Sequence, residues 1–95
     1  MSGYIVSYDL SAPGRDYASL FSYLKSFPYH AHLLESSWAI ITDKSAMEVC
    51  NEILAHIDSN DHVMVNEVTR NTAWFGLPAP VSEWLQKYLP AVATT

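Results

Sequence analysis

An apolar run, YIVSYDL at residues 4–10, carries the carboxylate of Asp9 directly before the turn-rich SAPGRD. Three uses are open to a carboxylate at that point. It can accept backbone N–H groups from the SAPG turn, ligate a hard divalent cation such as Mg²⁺ or Mn²⁺, or face another chain. One carboxylate is too few for the octahedral oxygen shell that Mg²⁺ demands. A two-fold axis close to Asp9 would bring in a second, because each residue beside such an axis meets its own mate. Asp9 is therefore a candidate metal ligand, and only in a dimer.

The other chemistry-bearing residues offer less. His30 and His32 are two apart, so in a strand they point the same way, as a zinc or copper pair would. No third ligand follows from their spacing, and a polar strand face is the expected reading. His56 and His62 read as surface residues. Ser36 and Ser37 lie in no GxSxG setting and have no identifiable base. Neither a P-loop nor a GxGxxG pattern is present. Cys50 is the single cysteine, which excludes an intrachain disulfide and suits a reducing compartment. It falls inside a helical apolar stripe and is expected in the core.

Period and punctuation set the elements. Tyr4, Val6, Tyr8 and Leu10 alternate with Ile5, Ser7 and Asp9, so the first set should face the core and Asp9 the opposite side. Pro13-Gly14 break this strand. From Asp16, Tyr17, Leu20, Phe21, Leu24 and Phe27 recur at helical spacing up to Pro28. HAHLL and SWAIIT read as a strand pair with Glu35-Ser36 in the turn. Ser45 with Glu48 forms a capping box, followed by an apolar stripe of Ala46, Val49, Cys50, Ile53, Leu54 and Ile57. HVMVNEV is a strand after the SNDH turn, and NTAWFGLPAP is a loop or short extension. Pro80 suits the first turn of a last helix with Val81, Trp84, Leu85 and Tyr88 on one face. PAVATT reads as a frayed tail.

The predicted order is β-α-β-β-α-β plus a C-terminal helix. That is an α+β fold of ferredoxin-like type: a four-stranded antiparallel sheet with two helices on one face. The other face must meet solvent, a partner or the C-terminal segment. The 95 residues suit a single domain, with a core over about 3–70 and an extension with helix over about 71–90.

Composition narrows the class. Hydrophobic residues make up 49% and charged residues 16%, the balance of a folded chain. An aromatic share of 13% on so short a chain is hard to bury and suggests an interface, hence a homodimer. The net charge of -5, with Arg15, Lys25, Lys44, Arg70 and Lys87 scattered, disfavours nucleic-acid binding by the whole surface. No apolar run approaches a membrane span and MSGYIVSYDL lacks a signal-peptide pattern, so a cytoplasmic location without membrane attachment is expected.

HLLESSWAI and YIVSYDL, with AWFG after the last strand and EWL near the end, resemble a group of small bacterial and phage proteins termed SinR-like. The likeness spans nearly the whole chain. A weaker one, carried by element order, Asp9, Ser37-Trp38 and Asp61, extends to the smaller subunit of the CRISPR spacer-integration complex and to the virulence-associated protein D toxins. It implies a ferredoxin-like homodimer with the strand-one aspartate, here Asp9, facing its mate across the axis. In some members that aspartate is assigned metal binding and endonuclease activity; others are non-catalytic scaffolds. The chain departs from that pattern in lacking a basic surface and in reading ESSWAI where a glutamine-serine-valine-phenylalanine pattern is usual.

Two functions follow as expectations. One is a metal-dependent endoribonuclease with paired Asp9 and Mg²⁺ or Mn²⁺. The other is a non-catalytic dimerising adaptor, which binds a protein partner through its Trp-rich C-terminal region. Trp38, Trp74, Trp84 and Tyr88 are the aromatic residues expected to serve as interface or structural anchors.

Overall fold

The computed structural model describes residues 1–11 and 17–92. The Pro13-Gly14 break, the helix start at Asp16 and the last residues of the tail lie outside them. The chain runs β1 (Ser2–Asp9), α1 (Ala18–Lys25), β2 (Tyr29–Leu34), β3 (Ser37–Thr42), α2 (Ala46–Ile53), β4 (His62–Val68) and α3 (Ala79–Tyr88). A 3-10 turn at Leu54–His56 follows α2. The result is an α+β fold: an open four-stranded antiparallel sheet in the order β2-β3-β1-β4, with three helices.

The inner sheet face is built by alternation. Tyr4, Val6 and Tyr8 of β1 and Trp38 and Ile40 of β3 are buried against Leu20 and Leu24 of α1 and Val49 and Ile53 of α2. Buried hydroxyl and indole groups need partners. Trp38 Nε1 donates to Tyr8 Oη at 3.1 Å, and Tyr8 Oη in turn donates to the Glu35 carbonyl at 3.4 Å. Phe21 stacks over the Trp38 ring at 6.2 Å, closing the core under α1. Burial raises the Tyr8 phenol above its usual range, the Trp38 hydrogen bond opposing and Glu35 reinforcing the shift. Trp38 is thus a core residue and offers no ring to a partner.

Helix α2 starts on the capping box: Glu48 N–H donates to Ser45 Oγ at 3.1 Å, and Ser45 N–H to the Glu48 carboxylate at 3.0 Å. Its stripe differs from the expectation at two positions. Cys50 is only partly buried, and Leu54 is 56% exposed. The reason is geometric. Leu54 opens the 3-10 turn after Ile53, whose shorter period turns it off the sheet, while Cys50, inside α2, sits at the margin of the stripe set by Val49 and Ile53.

The outer face is covered over one half by the chain itself. Leu85 and Leu89 are each 2% exposed, and α3 packs against β2. Tyr88 meets Tyr29 at 4.7 Å between ring centres and Trp84 at 5.3 Å. The buried stripe of α3 is centred on Leu85 and Leu89, so Trp84 and Tyr88 flank it, half-buried. The segment is tied down beyond the helix. Arg70 N–H donates to the Pro90 carbonyl at 2.8 Å, and Arg70 Nε to that of Leu89 at 2.9 Å. Gly3 lies beneath this crossing. A Cβ there would come within 2.9 Å of Pro90 Cδ and 3.2 Å of the Val68 carbonyl. Among the described residues no helix is long and apolar enough to cross a membrane.

Candidate functional site

A buried carboxylate does hold the segment that follows β1, and it belongs to Asp61. Asp61 is 8% exposed. Its Oδ1 accepts from the Ser11 N–H at 2.9 Å, the Ser11 hydroxyl at 3.2 Å and the Tyr17 phenol at 3.0 Å. Its Oδ2 accepts from the Asp58 N–H at 2.8 Å. One side chain therefore ties the segment after β1, the entry to α1 and the turn before β4 together. Each bond to an ionised acceptor is stronger than a neutral one. No local pattern distinguishes this aspartate from its neighbour Asp58; partners some 50 residues away in sequence do.

Asp9 stands apart from that network. It is exposed at the end of β1, and no described residue donates to its carboxylate. In the β1–β4 ladder its direct partner is His62, and the next pair on the same face is Ser7 with Met64. Directly opposed residues of an antiparallel pair share a face, so Asp9, His62, Ser7 and Met64 form an outer-face strip beyond the cover of α3. His62 is exposed as expected, and Met64 is 62% exposed. Among the described residues no three His, Cys, Asp or Glu side chains stand together as a metal site. Among the described residues, Asp9 and His62 are thus a pair without a third ligand beside them.

His30 and His32 share the inner face at the β2 edge, through the pairs His30–Ile40 and His32–Trp38. The His32 ring stacks on Trp38 at 4.4 Å and 10°. One nitrogen of each ring donates to a carbonyl: His30 Nδ1 to Phe27 at 2.8 Å, His32 Nε2 to Glu35 at 3.2 Å. They seal the edge of the core. His56 is half-buried rather than on the open surface; its ring stacks on Tyr23, and its Nδ1 lies 3.0 Å from Ser19 Oγ.

An apolar concavity lies between the outer sheet face and the segment leading into α3. It encloses about 310 Å³ and is lined chiefly by Ile5, Leu33, Trp74, Leu77 and Leu85, with Ser37 at its polar end. Trp74 is fixed there because its indole N–H donates to Ser82 Oγ at 3.0 Å, bracing the loop against α3. Gly76 has φ of 82°, a left-handed conformation that turns the chain at little cost in glycine. The turn holds Phe75 out on the rim, 100% exposed, near Leu34 at 61%. Phe75 and Leu34 are thus exposed apolar side chains at the mouth of an apolar cleft. The three aromatic anchors expected in the C-terminal region divide accordingly. Trp74 lines the cleft, while Trp84 and Tyr88 support α3.

A separate polar network joins the helices on the other side. Tyr23 Oη donates to Glu52 at 2.7 Å, and Lys44 Nζ bonds the other Glu52 oxygen at 2.8 Å. The Lys44 and Tyr23 hydrogen bonds hold the Glu52 carboxyl below its usual range. Burial, with the Glu52 bond and charge, pushes the Tyr23 phenol well up, and the Glu52 hydrogen bond and charge raise Lys44. This network is remote from the cleft and braces α1 against α2. Compared with known proteins, the chain matches no family model, no curated protein and no solved structure.

Proposed function

We propose that the chain is a dimerising adaptor of ferredoxin-like type, which receives an apolar segment of a protein partner in the cleft under Trp74. The strand order and the two inner-face helices support the ferredoxin-like reading. The observation that carries the function is Phe75, fully exposed on the rim of an apolar cleft whose floor is fixed by α3. Burying such a ring and the cleft lining gives the desolvated centre on which partner binding depends. The test is selection of displayed peptides on the wild-type protein, with Leu34→Ser and Phe75→Ser as counter-screens. Peptides with apolar anchors that bind wild type and lose affinity at least tenfold on both variants support the adaptor. Failure to select any peptide above background overturns it.

A second reading is a metal-dependent endoribonuclease built on Asp9 paired across a dimer axis. One observation favours it: Asp61 performs the structural task that would otherwise account for Asp9, leaving an exposed carboxylate on the outer face. The resemblance to the SinR-like group and the CRISPR subunit supports it as well; the acidic charge of the chain weighs against it. Mg²⁺ or Mn²⁺ would polarise the phosphate and activate the water, while Asp9 from each chain would hold the ion. Cleavage of single-stranded RNA that depends on Mg²⁺ or Mn²⁺ and is lost in Asp9→Asn is the outcome this reading requires.

A further inference from the structure

We propose that the segment received in the cleft is the C-terminus of the partner protein. Its last apolar side chain sits under Trp74, and its terminal carboxylate is held by Arg70 and Gln86. This rests on the adaptor reading and names the piece of the partner that it recognises. A second concavity, of about 240 Å³, adjoins the cleft and is lined by Arg70, Trp74, Leu85, Gln86 and Leu89. Trp74 and Leu85 line both, so the apolar cleft and a cation share one wall. An apolar hollow with a few fixed polar groups is the usual form of a specific binding site.

Arg70 is already oriented. Its backbone N–H donates to the Pro90 carbonyl at 2.8 Å and its Nε to that of Leu89 at 2.9 Å. The Nε bond fixes the guanidinium plane and leaves the two terminal nitrogens as donors. Among the described residues no carboxylate pairs with them, Glu83 one turn before Gln86 included. A planar guanidinium matches a carboxylate with two parallel N–H groups, and the exposed Gln86 amide adds a further donor. Charge selects the end of a partner chain over its middle. No charged side chain lines the cleft itself, so a wholly apolar internal segment would leave Arg70 unmatched. A C-terminal residue carries an apolar side chain and an anion on one Cα. The net charge of -5 repels a run of acids, so a single carboxylate aimed at Arg70 is the better complement.

The probe is a peptide selected on the full chain from a random library displayed with free C-termini. It is then synthesised twice, as the free acid and as the C-terminal amide, and each form is titrated by fluorescence anisotropy. The expected peptide ends in an apolar residue, and its amide binds at least tenfold more weakly than its acid. Arg70→Gln should weaken the acid by a similar factor and leave the amide within about twofold. Phe75→Ser should weaken both forms. Because Arg70 also anchors the segment after α3, the comparison of acid with amide on the wild-type protein decides without any variant. Equal binding of the two forms overturns the proposal and keeps the adaptor, even where Arg70→Gln weakens both, since that pattern belongs to an internal acidic residue. An acid form that ignores both Phe75→Ser and Leu34→Ser overturns it too, because the side chain then lies outside the cleft. Failure to select any peptide overturns the adaptor and this proposal together.

Discussion

Asp9 and Asp61 are the same chemical group with opposite employment, and substitution separates them. Among the described residues, Asp61 accepts hydrogen bonds from Ser11, Tyr17 and Asp58 while 8% exposed. Asp61→Ala leaves those donors unpaired and should cost about 3 kcal/mol, read from the urea midpoint. Asp9→Asn in metal-free protein should stay within about 0.5 kcal/mol, as surface substitutions do. Glu52 gives a second residue-scale expectation. Its carboxyl is held below the usual range by Lys44 first and Tyr23 next. The stability it contributes is therefore complete above the ordinary carboxylate pKa and is lost as pH falls through the lowered value. Melting curves from neutral pH downward should show wild type losing more stability into acid than Glu52→Gln, with the two converging at the lowest pH. Residues like these are the hardest to read in a sequence. Asp9 is conspicuous because it ends an apolar strand, whereas Asp61, marked in the sequence only by the weaker resemblance, shows its buried hydrogen-bonding role once β1 and β4 lie side by side.

At the scale of elements, α3 is a structural part of the sheet and not an appendage. Leu85→Ala removes a side chain that is 2% exposed and should cost about 2–5 kcal/mol. Thermal unfolding checks this, and an unchanged midpoint would show a loosely attached helix. Most elements were legible. The alternation in YIVSYDL, the Ser45–Glu48 box and the Pro28 stop each encode a boundary in adjacent residues, where pattern and physics coincide. The end of α2 was not, since a tightening of the helix at Leu54 follows from how the next turn packs. Cys50 sits at the margin of the α2 stripe set by Val49 and Ile53, which apolar spacing alone does not show. Nor was the cover of the outer face legible in detail. Val81, Trp84, Leu85 and Tyr88 announce an amphipathic helix, but Leu89 and the Arg70 bonds that clamp it come from the path of the chain.

For the molecule as a whole, the question is which surface meets a partner. The inner face is filled and one half of the outer face is covered, which leaves the cleft rim and the Asp9–His62 strip. Phe75→Ser tests the rim cleanly because a ring that is 100% exposed supports nothing inside the fold. Its unfolding free energy should change by less than about 0.5 kcal/mol, while binding of an apolar dye to the native protein should fall at least twofold. A large loss of stability instead would mean that the ring is buried in solution, and hence that copies associate through it.

The Arg70–Pro90 clamp over Gly3 also fixes an order in time. Domains begin to fold from the N-terminal side during synthesis, at about 5–20 residues per second. All four strands precede in sequence the segment that covers Ile5, Leu33 and Ile41, so a sheet formed before that segment docks has a bare apolar face. The β2 and β4 edges are open beside it, and an apolar face with open edges is what another growing chain would pair with. Loosening the docked segment by Leu89→Ser should therefore lower soluble yield more than Phe75→Ser, because it leaves that face bare for longer.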